Sequence, residues 1–190
     1  MSEKNLILNE SLTSFFYKNL DKVNRNSLCP LPQEFILYSS QVLNHYAISD
    51  KFFTSDGDGK VNEKILGIEL LTAEQKSQKE RRAIYKDIGD TILVQLGIFP
   101  KRVSKKSISE KYYIHLGKSA YAQMESLECS FYDIPHFFHL FSTSFEYIIE
   151  LLLAMKEITR FETFEQYLIE CHEDTSRSSL FLTPGVVKAN

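Results

Sequence analysis

Apolar residues recur at the three-to-four spacing of an α-helix in every long segment of this chain. Leu12, Phe15, Phe16, Leu20 and Val23 share one side of a first segment that Asn9 is placed to cap. The prolines of Cys29-Pro-Leu-Pro32 end it, and Pro32 starts a second helix carrying Phe35, Ile36, Tyr38, Val42, Leu43 and Tyr46. After an acidic, glycine-containing loop at 54–60, the pattern predicts a short helix over 61–71 and a long one over 73–99. On the long one Ile84, Ile88, Ile92, Leu96 and Phe99 form a stripe, with Lys79, Lys86 and Asp87 facing water. Past Asp90 this helix is apolar nearly all round, so one end lies on the surface and the other enters the core. The run Thr91–Phe99 also suits a strand, but no second strand is available to pair with its backbone.

Phe99-Pro100 is read as a stop, and Lys101, Arg102, Lys105 and Lys106 as a basic loop. Ser107 and Glu110 have capping-box spacing for a helix to about Met124. Pro135 opens a last long helix to Ile158, with Phe138, Phe141, Phe145, Ile148, Leu152 and Met155 on its apolar face. A short helix over 164–171 and a tail over 176–190 follow. The expectation is all-α: a single-domain helical bundle of about seven helices over 1–175, with a flexible C-terminal tail.

Composition narrows the function classes. The chain of 190 residues is long enough to bury a core without staples, and its net charge of −3 gives the whole molecule no pull toward nucleic acid or anionic lipid. No run of ~18 apolar residues suggests a membrane span. Cys29, Cys129 and Cys171 are widely spaced and form no CxxC pair, which fits a reducing compartment, and a cytoplasmic protein is expected. With 14 Phe and 10 Tyr, an aromatic face for a homodimer is compatible with the sequence.

Four motifs carry candidate chemistry. Asp56, Asp58, Gly59 and Val61 match part of a calcium loop, but Thr54 and Ile65 stand where two ligands belong, and the segment is read as an acidic turn. Gly117-Lys118-Ser119 lacks the first glycine of a phosphate loop and sits on a helix, so Gly117 and Ala120 are read as a close helix crossing, with Gly89 opposite. Asp133, His136 and His139 have metal-capable spacing but too few partners, and neither metal nor cofactor is expected. The fourth is a cluster around Asp90. Arg81 and Arg82 project toward the apolar arc of its helix, and Tyr112, Tyr113, His115, Lys118 and Tyr121 on the next helix are donors in reach.

A buried Asp90 must be paired, so the cluster is read first as a polar lock between two helices. Read as a site instead, Asp90 or His115 would be a base, Tyr112 or Tyr113 a donor, and Arg81 or Lys118 an anion clamp. The favoured function is a non-catalytic regulatory or adaptor protein that binds another protein, with Leu180, Phe181 and Leu182 of the tail as one docking element. The alternative is a small-molecule- or metal-binding protein with its site between the Asp90 helix and the Tyr112/Tyr113 helix.

The same segment resembles a bacterial family of uncharacterised helical proteins. The resemblance is carried by Glu80-Arg81-Arg82, Ile88-Gly89-Asp90, Gly97-Ile98-Phe99-Pro100, Tyr112-Tyr113 and Gly117-Lys118-Ser119-Ala120-Tyr121, and loosely by the whole of 33–125. It implies a bacterial origin and brings no activity with it.

Overall fold

The computed structural model describes residues 11–48, 61–104, 108–127, 131 and 134–159. The calcium-like turn at 54–60, Asp133, Lys105, Lys106, the Arg102 side chain, the 164–171 helix and the tail lie outside the described residues. Within them the protein is all-α. Helices α1 (Leu12–Arg25), α2 (Gln33–Ile48) and α3 (Val61–Thr72) lead through a 3-10 turn, Ala73–Gln75, to α4 (Gln78–Ile98). Then come α5 (Pro100–Ser104), α6 (Glu110–Glu125), α7 (Phe137–Thr143) and α8 (Phe145–Ile158).

Helix α4 is the axis of the bundle. It packs on α6 and α8 and touches α2, while α1 lies across α2 and α8. The all-apolar half of α4 therefore enters the core, where Ile88, Ile92, Leu93 and Leu96 are buried with Phe145 and Leu152. Aromatic rings crowd one end of that core. Tyr38 makes edge contacts with Phe131, Phe137 and Phe141 at centroid distances of 5.1, 5.4 and 5.0 Å.

Side-chain hydroxyls set several boundaries that periodicity misses. Ser11, not Asn9, caps α1 by accepting from the Ser14 N–H at 3.2 Å. The expected long helix over 73–99 is interrupted, because Ser77 and Glu80 form a capping box and begin a new helix after the 3-10 turn. Ser109 rather than Ser107 caps α6. Pro100, read as a stop, opens α5, where its fixed φ suits a first helical position; the basic segment thus begins as helix.

The expected helix over 135–158 is also two helices, bent by 69°. It starts at Phe137, after His136 in the left-handed region (φ 56°). At the bend the Leu140 carbonyl accepts from both the Thr143 hydroxyl (2.8 Å) and the Ser144 N–H (3.1 Å), and Ser142 donates to the Lys118 carbonyl of α6 (2.8 Å). Side chains competing for ladder carbonyls bend the helix without a proline. Among the described residues no single helix is long and apolar enough to cross a membrane; only the bent α7–α8 pair meets that length and composition, and its apolar face is core.

Candidate functional site

Asp90 of α4 is 3% exposed and faces α2 and α6. Its Oδ1 accepts from the Tyr38 hydroxyl of α2 at 2.8 Å and from the Tyr121 hydroxyl of α6 at 2.7 Å. Its Oδ2 pairs with Lys86 one turn earlier on α4, whose side chain is 45% exposed. Nearby on the same side, Tyr46 shares a 2.6 Å hydrogen bond with Thr91. Burial, then the Asp90 charge, holds the hydroxyls of Tyr38 and Tyr121 well above the ordinary tyrosine range. Burial does the same to Tyr46. These phenols are donors that keep their protons at neutral pH. A carboxylate engaged by two phenols and an ammonium ties α2, α4 and α6 together.

The remaining sequence candidates take other places. Arg81 is half-buried, and its Nε has no hydrogen-bond partner. Arg82, expected to turn toward the apolar arc, is exposed instead. Tyr112 is 41% exposed, with its hydroxyl against Gly67 of α3. Tyr113 is fully buried and His115 exposed. Lys118 pairs with Glu146 of α8 at 2.8 Å, which holds the Glu146 carboxyl below its usual range. Asp90 and Tyr121 are therefore brought together, whereas Tyr112, Tyr113, His115 and Lys118 are not hydrogen-bonded to them.

His136 Nδ1 lies 2.7 Å from Glu125 Oε1, and His139 is exposed. Among the described residues no three His, Cys, Asp or Glu side chains are grouped to hold a metal ion.

Two members of the Asp90 cluster escaped the sequence reading. Lys86 was assigned to the solvent face, although lysine four residues before an aspartate on a helix is a pairing signal. Tyr38 looked like one more member of an apolar stripe, and nothing local links it to Asp90, 52 positions away.

Beside the cluster a cleft of about 270 Å³ opens along α2 and α4. Its floor is Tyr38, Met124, Phe131 and Phe138, and Arg82 and Lys86 stand on its rim. This cleft lies along the α2 side of α4, and Met124 is the α6 residue that lines it. Comparison with family models, curated proteins and solved structures finds no match.

Proposed function

We propose that this protein is a non-catalytic binding module that acts in the cytoplasm through contact with another protein. The observation that carries the reading is the outward side of α3. Ile68 is 56% exposed and Leu71 77%, and Tyr112, braced against Gly67 of the same helix, adds a further apolar surface. Within 66–72 Leu66 is buried and Leu70 packs partly against the core, while Ile68 and Leu71 face outward, so two of the four large apolar side chains described on this helix are exposed. The commitment of the ionisable groups agrees with a binding role: Asp90 holds tyrosines and a lysine, Lys118 holds Glu146, and His136 holds Glu125. A free, exposed Cys29 suits a reducing compartment.

The test is the double variant Ile68→Glu/Leu71→Glu. Both side chains are exposed, so the melting temperature is expected to change by only a degree or so, on the scale of ~0.5 kcal/mol for surface substitutions. Cross-linked partners identified by mass spectrometry should be retained by the wild type and lost from the variant. Identical partner profiles for the two proteins would sink the reading. Light scattering over a concentration series shows whether the partner is a second copy.

A further inference from the structure

Two apolar features of this chain stand open to water and complement each other in shape. The first is a knob. Leu28, in the loop between α1 and α2, is 106% exposed, so it meets solvent on every side, and Cys29 and Pro30 beside it are exposed as well. The loop beneath it is nonetheless fixed. The side chain of the fully buried Asn24 accepts from the Leu31 N–H at 2.8 Å and donates to the Leu31 carbonyl at 2.9 Å. The Asn24 carbonyl in turn accepts from the Ser27 N–H at 3.1 Å and the Ser27 hydroxyl at 2.6 Å. Pro30 and Pro32 add their own fixed φ angles. A loop braced in this way has little left to order when its leucine enters a contact.

The second feature is a hollow on α3. Ile68, Leu71 and Thr72 are exposed at i, i+3 and i+4, three of the four positions that bound a hole on a helix surface. The Thr72 hydroxyl is spent on the Ile68 carbonyl at 2.9 Å, and Tyr112 stands beside the hollow against Gly67. Helix α3 packs on α4, whereas the loop belongs to the α1–α2 hairpin, and both features stay exposed, so one molecule does not seat its own knob in its own hollow. We propose that copies of this chain associate head to tail, Leu28 of one copy seating between Ile68 and Leu71 of the next. The inference rests on the contact role of α3 and names the partner as a second copy. The contact is heterologous, so it extends into a ring or an open chain. One leucine against three side chains covers far less than the ~1,000 Å² of a stable interface, so the association is weak and appears only at high concentration.

Sedimentation velocity of the full chain under reducing conditions, from ~10 μM to ~1 mM, tests this. The wild type should gain mass with concentration and pass beyond a dimer. Leu28→Glu and Ile68→Glu/Leu71→Glu should each stay monomeric with melting temperatures near wild type, and Leu28→Ser should repeat the Leu28→Glu result without adding a charge. An equimolar mixture of Leu28→Glu with Ile68→Glu/Leu71→Glu should form a heterodimer and stop there, because the first keeps the hollow, the second keeps the knob, and the other end of each is blocked. The proposal is overturned by a wild type that stays monomeric at ~1 mM, by either variant associating as the wild type does, or by a mixture that stays monomeric. A monomeric wild type whose cross-linked partners still vanish in Ile68→Glu/Leu71→Glu strikes the self-association alone. Association through another face, with partner profiles unchanged in that variant, strikes the contact role of α3 as well.

Discussion

Removing the Asp90 carboxylate takes the acceptor from two buried phenols at once. Asp90→Ala leaves the hydroxyls of Tyr38 and Tyr121 and the Lys86 ammonium without their partner, and breaking a buried charged network in this way costs about 3–5 kcal/mol. Tyr38→Phe or Tyr121→Phe removes one donor and leaves the carboxylate with two, so each should cost about 1–2 kcal/mol. The paired change Tyr38→Phe/Tyr121→Phe will not be additive, because both hydroxyls share Oδ1. Guanidinium denaturation of the four variants beside the wild type measures this; an Asp90→Ala midpoint close to wild type would remove Asp90 from any role in holding the helices. At this scale a need was legible and its partners were not. A lone carboxylate at the entrance to an apolar helix demands donors, and Tyr121 was among those named. Tyr38 belongs to a different helix, and only the packing of α2 across α4 brings it within reach.

Among the helices, small residues decide how closely the axes approach. A Cβ on Gly89 of α4 would lie 2.8 Å from Cζ of Tyr121, and one on Gly97 would lie 2.5 Å from Cδ1 and 2.7 Å from Cβ of Leu152 on α8. Tyr121 cannot retreat, because its hydroxyl is fixed on Asp90 and its ring is wedged against Phe141 and Phe145 at 4.9 and 5.7 Å. Alanine at a helical glycine gains about 1 kcal/mol of propensity, against which overpacking a filled core costs about 1–3 kcal/mol. Gly89→Ala and Gly97→Ala should therefore both lower stability, by up to about 2 kcal/mol net. Gly67→Ala is the contrast. The Cβ there meets only the hydroxyl end of the partly exposed Tyr112, which can swing away, so that variant should be neutral or slightly more stable in the same denaturation series. The close crossing expected at Gly117 exists, but its partners are Phe145 and Ile92, while Gly89 faces Tyr121. Periodicity located the helices and their buried faces. It did not locate the breaks at Ser77 and Ser144, where hydroxyls and a glutamate satisfy backbone groups that a continuous helix would have used.

The whole molecule inherits a pH limit from these phenols. Tyr38 and Tyr46 of α2 and Tyr121 of α6 all hold their protons more tightly in the folded chain than in the unfolded one, burial being the first cause in each case. A folded-state value raised above the unfolded value of ~10 means that the stabilising contribution is fully present below that pH and is lost as pH climbs toward the folded value. Above pH ~10 the unfolded chain sheds three protons that the native one keeps, so stability should fall by about 4 kcal/mol per pH unit. Set against the 5–15 kcal/mol typical of a domain, that slope predicts alkaline unfolding within roughly one to four units above pH 10. Tyrosinate absorbance and far-ultraviolet ellipticity recorded along one alkaline titration decide the point. The tyrosinate signal of the buried group should rise in a single step with the loss of helix. A smooth tyrosinate curve that is complete while the helical signal is intact would mean that water reaches the hydroxyls of Tyr38 and Tyr121, and that α2, α4 and α6 are held together by packing without the carboxylate between them.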